Sequence, residues 1–140
     1  MNQTGREIVQ QLDQEFASLI DSLKDLAGSV PPGSGYQQIL RSAAVIEQMC
    51  GGLTSNLWDD PYEWTLPETL SNADRVIEYL SEVDLARQRA FNAIVDDGAL
   101  TKYISVPSGE SRLLISLLLK TLVNASDARG RANIQASRKT

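Results

Sequence analysis

The side chains that could carry out chemistry in this sequence are few, and no histidine is among them. Without an imidazole, Ser–His and Cys–His nucleophile pairs are excluded, as is any metal site that depends on a histidine nitrogen. The single cysteine, Cys50, excludes an internal disulfide and any site with several cysteine ligands. A reactive Cys50 would need a nearby basic residue or a helix N-terminus to lower its pKa. Because Cys50 lies near a predicted helix C-terminus, where the dipole acts in the opposite sense, the sequence favours a small core residue.

Three charged residues are the other candidates for a site. Asp127 follows Asn124 by three residues, so both lie close to one face of a predicted helix. Together with Glu47, Asp127 could form an oxygen-rich site for magnesium or calcium. The alternative, which we favour, is a solvated Asp127 and a Glu47 paired with a basic residue. The planar guanidinium of Arg129 could hold Glu47 or another carboxylate of a neighbouring helix, or the anionic group of a substrate.

Apolar residues recur at helical spacing in four segments, which would position these side chains. The segments span about 4–27, 34–53, 71–95 and 111–137. Gly51-Gly52 weakens the second segment, which either ends there or bends and continues to Leu57. Two short links and one long crossover over 58–70 would join them. We therefore predict an all-α protein, a four-helix bundle with one long crossover between helices 2 and 3. Its 140 residues fit a single domain over 1–140.

Local signals predict how these elements begin and pack. Capping pairs mark the starts of the first three helices: Thr4 with Glu7, Ser34 with Gln37, and Ser71 with Asp74. The hydrophobic stripes place Ile8 and Ile134 toward the core. Residues 103–106 are predicted to be extended, and Gly130 to permit a close approach between helices. The aromatic residues of the crossover could gate a ligand pocket, but we favour the alternative that they pack on the bundle: Trp58, Tyr62 and Trp64.

The charge and hydropathy of the chain exclude several partners. The net charge is −5 and the sequence has no lysine/arginine stripe except in its last few residues, so nucleic acid is not expected to bind. The longest apolar run, over 113–119, is far shorter than the ~18 residues of a membrane span and ends at Lys120. The polar start of the sequence lacks a signal-peptide pattern. We expect a cytoplasmic protein that does not enter the membrane.

Two stretches of the sequence carry a family resemblance. They are Trp64–Leu70 and the fourth-helix residues 117–119 through 128–131. With the order of the segments, they resemble the DinB-like superfamily of bacterial four-helix-bundle proteins, many of which bind metal. Residues 39–47 are similar to the first ligand region of that family.

The positions that the resemblance assigns to metal ligands hold other residues here. In the family, one histidine precedes an acidic residue of helix 2, and two histidines four apart precede Arg-Gly-Gln in helix 4. The corresponding residues are Ser42, Asn124 and Ala128, while Arg129 and Gly130 of the signature persist. A hydroxyl is a weak ligand, a carboxamide suits only hard cations, and alanine offers no donor. We therefore predict no metal and no other cofactor at these vestigial positions. Ser42 and Asn124 could line a small polar binding pocket there, but we favour the alternative that they hydrogen-bond to each other or to water in the bundle interior.

Three functions follow as hypotheses. The favoured one is a non-catalytic binding or scaffold protein, acting as a homodimer, because the ligands are missing and the first half of helix 4 is apolar on most sides. The alternative, implied by the resemblance, is a thiol-dependent transferase or isomerase without metal, in which Arg129 or Arg131 lowers the pKa of a thiol. A role in DNA damage rests on the family name alone, and the acidic charge argues against it. The sequence does not identify a small-molecule ligand.

Overall fold

Four helices form the body of the computed structural model, which describes residues 5–29, 34–55, 58 and 72–138. They are α1 (Glu7–Ala27), α2 (Ser34–Ser55), α3 (Ala73–Asn92) and α4 (Leu114–Arg138). A 3-10 helix (Asp97–Thr101) and two short strands, β1 (Tyr103–Ser105) and β2 (Ser111–Leu113), lie between α3 and α4. The predicted all-α four-helix arrangement is confirmed, and the predicted crossover between helices 2 and 3 lies outside the described residues except at Trp58. None of the described helices is long and apolar enough to cross a membrane.

The helices surround one hydrophobic core. Helix α2 packs mainly on α4 and α3, and α1 packs mainly on α3. At the α1–α3 contact the rings of Phe16 and Phe91 lie 5.7 Å apart and tilted by 47°, a favourable arrangement for an aromatic pair. The largest fully buried side chains come from all four helices: Phe16, Ile20, Leu23, Ile39, Leu40, Ile46, Leu80, Phe91 and Leu118.

The predicted inward orientation of Ile8 and Ile134 is wrong. Ile8 is 52% exposed and the next residue, Val9, is fully buried. At about 100° per residue, Val9 lies about 20° from Phe16 around the helix, whereas Ile8 lies about 80° away. Ile134 follows the buried Ala132 by two residues, which turns it about 200° around α4 to the exposed face.

Within the described residues, side chains cap the starts of α1 and α3, and the cap of α3 differs from the prediction. Asn72, rather than Ser71, is the N-cap of α3, and its side chain accepts a hydrogen bond from the amide of Arg75 at 2.9 Å. Ser71 and Thr4 lie outside the described residues. Helix α1 has no side-chain cap from its own N-cap residue, Arg6.

The start of α1 is instead capped by Asp97, about 90 residues away in sequence. The carboxylate of Asp97 accepts hydrogen bonds from the amides of Ile8 at 3.1 Å and Val9 at 2.9 Å. Its own amide donates to the carbonyl of Gly5 at 2.6 Å. The connection after α3 therefore holds the first turn of α1, where a negative charge is favourable.

Substituting Asp97 with alanine should lower the free energy of unfolding by about 1–2 kcal/mol, because two amides of α1 lose their acceptor. Chemical denaturation measures the loss. Glu82→Ala, an exposed substitution within α3, is the control and should change stability by less than about 0.5 kcal/mol. Equal effects of the two substitutions would contradict a capping role for Asp97.

A β-hairpin replaces the predicted beginning of helix 4. The extended conformation predicted for 103–106 is confirmed over 103–105, and β1 pairs with β2 in antiparallel register, Tyr103 opposite Leu113. Gly109, at φ +88°, supplies the left-handed residue of the turn. Because the backbone of β2 is hydrogen-bonded to β1, α4 starts only at Leu114. The amide of Leu114 donates to the carbonyl of Lys102 at 2.9 Å.

Candidate functional site

Two of the vestigial positions, Ser42 and Ala128, are buried, and Ser42 joins α2 to α4. Ser42 is fully buried, and its hydroxyl donates a 2.7 Å hydrogen bond to the carbonyl of Ala125. Ala128 is 2% exposed. This hydrogen bond satisfies the polar group that Ser42 brings into the core, and it joins the two helices where the resemblance places a metal.

The third vestigial position, Asn124, has a different environment. Asn124 is exposed and lines a groove at the surface, which neither Ser42 nor Ala128 borders. The three positions are therefore divided between a closed helix contact and an open groove. The metal-ligand arrangement implied by the resemblance has become two separate features of the molecule.

Glu47 and Asp127 do not meet to form a cation site. The hydroxyl of Tyr79 donates to Glu47 at 2.5 Å, and Arg131 pairs with Asp127 at 2.6 Å and with Gln38 at 2.9 Å. Within the described residues, no group of three or more cysteine, aspartate or glutamate side chains could hold a metal ion. The structure agrees with the alternative of a solvated Asp127, but the partner of Glu47 is a tyrosine rather than a basic residue.

Arg129 faces α1 rather than Glu47. Its Nη1 lies 3.5 Å from the hydroxyl of Ser22, and it borders a cleft between α1 and α4 that Asp25 also lines. Of the carboxylates predicted as partners of Arg129, Glu47 accepts from Tyr79 of α3, whereas Asp25 of the neighbouring helix α1 lines the same cleft as Arg129. The interpretation of Gly130 is wrong, since a Cβ at this position would meet no atom within 4 Å.

A partly buried charged cluster, which sequence patterns did not indicate, lies between α1 and α3. Arg87 of α3, with a side chain only 11% exposed, pairs with Asp13 of α1 and with Asp84 at 2.8 Å. Burial raises the pKa of Asp84, but the hydrogen bond and charge of Arg87 outweigh burial and lower that pKa below its usual 3.8. Burial lowers the pKa of Arg87, but the hydrogen bonds and charges of Asp84 and Asp13 outweigh burial and raise this pKa above its usual value. Arg87 and Asp84 thus stay charged at neutral pH.

Cys50 lies near this cluster and is fully enclosed in the core. Burial raises the pKa of its thiol to about 12; the charge of Arg87 opposes this shift, and those of Glu47 and Asp13 add to it. A thiol with so high a pKa holds almost no thiolate at neutral pH. The prediction of a core residue at Cys50 agrees with this environment.

Native protein should therefore react with a thiol reagent at least about 1,000-fold more slowly than a free cysteine does. Labelling with iodoacetamide at mildly alkaline pH, followed by mass spectrometry, measures the rate. The same protein in guanidinium chloride is the control and should react at the rate of a free thiol. Rapid labelling of the native protein would show that Cys50 is accessible and ionised.

The groove lined by Asn124 lies between α2, α4 and the hairpin, and has a volume of about 240 Å³. Its walls are largely apolar, with amide and hydroxyl groups and two cationic side chains among them. The apolar members are Val45, Met49, Trp58, Val106, Pro107 and Leu117. The polar and charged members are Gln48, Thr121, Asn124, Arg112 and Lys120.

Trp58 forms one wall of the groove and is held against α2. The Nε2 of Gln48 donates to the carbonyl of Trp58 at 2.8 Å. Gly52 leaves room for the indole, because a Cβ there would overlap the ring. The prediction that Trp58 packs on the bundle is confirmed, while Tyr62 and Trp64 lie outside the described residues.

Comparison with protein-family models, with curated proteins and with solved structures finds no match to this chain. The DinB-like resemblance therefore stays a prediction. The favoured prediction placed Asn124 in the bundle interior, so it missed both the exposure of this residue and the two cations of the groove. The one available signal was Lys120, which ends the apolar run of 113–119.

Proposed function

We propose that this chain is a DinB-like bundle that binds a small molecule without catalysing a reaction on it. The observation that supports this function is the division of the vestigial positions. Ser42 and Ala128 are buried, and Ser42 bonds to the backbone of α4, whereas Asn124 lines an open groove. The space of a metal site is thus occupied by core packing, and the concave surface beside it remains available to a ligand.

The chemistry of the groove favours binding over catalysis. Its described lining residues offer amide, hydroxyl, guanidinium and ammonium groups, with neither a thiol nor a carboxylate among them. A nucleophile needs an adjacent base or a lowered pKa. Cys50 is buried and its pKa is raised to about 12, which removes the chain's own thiol from consideration.

A homodimer is part of the proposal. Leu119 and Val123 lie one helical turn apart on the outer face of α4 and are 47% and 66% exposed. An apolar pair at this spacing can pack against its own copy in a second chain. A cytoplasmic location belongs to the same proposal, since one unpaired cysteine suits a reducing compartment.

Elemental analysis of the purified protein and its mass in solution test this function. We expect no stoichiometric transition metal and a mass of twice the chain. A stoichiometric zinc, nickel, iron or manganese ion that survives dialysis would overturn the non-catalytic assignment. A monomeric mass would remove the homodimer and leave the binding function in place.

The alternative function, a metal-independent thiol-dependent transferase or isomerase, finds less support in the geometry. It requires Arg129 or Arg131 to lower the pKa of a bound thiol. Arg129 faces α1 beside Ser22, and Arg131 is paired with Asp127 and Gln38. Thiol-dependent turnover that falls on Arg129→Ala, with the fold retained, would favour this alternative.

A further inference from the structure

We infer that the groove recognises an anionic small molecule, with a carboxylate or phosphate group on a flat apolar body. This inference rests on the proposed binding function and adds the chemical class of the ligand. It comes from the juxtaposition of Arg112 and Lys120 with the indole of Trp58 in one concave surface.

The charged side chains that line the groove are positive, whereas the net charge of the whole chain is negative. The protein has 18 acidic and 13 basic residues and a net charge of −5. The groove nevertheless collects two cations, and its described lining residues include no carboxylate. A concave, partly apolar surface strengthens the attraction of such cations for an anion, because it limits the screening by water.

Arg112 keeps hydrogen-bonding capacity for a ligand. Its Nη2 lies 3.5 Å from Glu110, a residue that is itself well exposed. An exposed ion pair of this length contributes little stability. The guanidinium carries five N–H donors, so an anion can bind it without displacing a strong partner. The exposed carboxamide of Asn124 can donate a further hydrogen bond from the same groove.

The apolar walls define the rest of the ligand. Trp58 presents a rigid aromatic surface. The hydrogen bond from Gln48 holds its backbone, and its indole packs closely over Gly52. The volume of about 240 Å³ lies just below the ~300–1,000 Å³ of sites for drug-sized molecules. A ligand of one or two rings fits this size, and stacking on the indole suits a flat one.

Binding of 2-naphthoate, 2-naphthyl phosphate and neutral 2-naphthamide to the intact protein tests the inference. The three probes share one apolar body and differ in the group that would meet the cations. Isothermal titration calorimetry at low ionic strength should show that at least one of the anions binds at least about tenfold more tightly than the amide. The anion that binds more tightly then shows whether the site prefers a carboxylate or a phosphate. Added salt should reduce the preference for the anion over the amide.

The double variant Arg112→Gln/Lys120→Gln should lose about tenfold in affinity for the preferred anion and change by less than about twofold toward the amide. Retained binding of the amide shows that the groove is still folded. The control is Arg75→Gln/Arg89→Gln, which removes the same charge from exposed positions on α3 and should leave the affinity for the anion within about twofold.

Three outcomes would overturn the inference. The first is equal affinity for anions and amide, which would leave the binding function standing with a neutral ligand. The second is an equal loss in the control variant, which would assign the preference to the net charge. The third is binding of none of the probes. The proposed function itself fails separately, on the finding of a stoichiometric metal.

Discussion

Replacing Arg87 with methionine should lower the free energy of unfolding by about 3 kcal/mol at neutral pH. The guanidinium of Arg87 pairs with Asp13 of α1 and Asp84 of α3 where these helices pack, and its side chain is only 11% exposed. Methionine keeps most of the apolar stem but leaves two partly buried carboxylates close together without a cation. Removing one partner of a buried ion pair is costly for this reason. Urea denaturation of the two proteins measures the difference.

Acidification gives a second measure of the same cluster. Because Arg87 lowers the pKa of Asp84 in the folded protein, this interaction stabilises the fold fully above the usual pKa of 3.8 and is lost as pH falls through the lowered value. The difference in stability between wild type and Arg87→Met should therefore shrink below about pH 4. Arg89→Met, an exposed change on the same helix, is the control and should cost less than about 0.5 kcal/mol. A similar cost for both variants would contradict the role of Arg87.

Much of the fold could be predicted because a helix has one period and a bundle has one core. The stripe that begins at Leu12 and Phe16 identifies α1 without any tertiary information. The predictions fail where a helix end has too few apolar residues to fix its buried face, or where a residue distant in sequence makes the contact. Ile8 matches a four-residue spacing but drifts out of phase, and the cap from Asp97 joins residues about 90 positions apart. No local pattern contains such a contact.

The candidate site was harder to predict for a geometric reason. Asn124 and Ala128 are one turn apart, and the resemblance treats them as a pair, yet one is exposed and the other buried. The buried stripe of this part of α4 passes through Ala125, about 100° around the helix from Asn124. Asn124 therefore lies at the edge of the stripe, beside the hairpin. Arg112, which lines the groove, belongs to strand β2, whereas the sequence pattern predicts that this segment is the beginning of helix 4.

Introducing histidine at position 128 should lower the free energy of unfolding by about 3 kcal/mol. Ala128 is 2% exposed, and the hydroxyl of Ser42 already bonds to the nearby carbonyl of Ala125. An imidazole would overpack this contact, at about 1–3 kcal/mol, and would bury a ring nitrogen without a partner, at a further ~1–3 kcal/mol. Thermal and urea unfolding, with and without zinc, measure the effect.

Asn124→His is the matched control for this substitution, because it places the same imidazole one turn away in the exposed groove. It should change stability by less than about 0.5 kcal/mol. The result that would contradict a filled core is an Ala128→His variant that is as stable as wild type. The contradiction would be complete if the double variant Asn124→His/Ala128→His then gained stability from zinc. Such a gain would mean that the space of a metal site persists and that only its ligands are missing. A loss confined to Ala128→His would instead show that core packing has taken that space, so that the groove at Asn124 is what remains for a ligand.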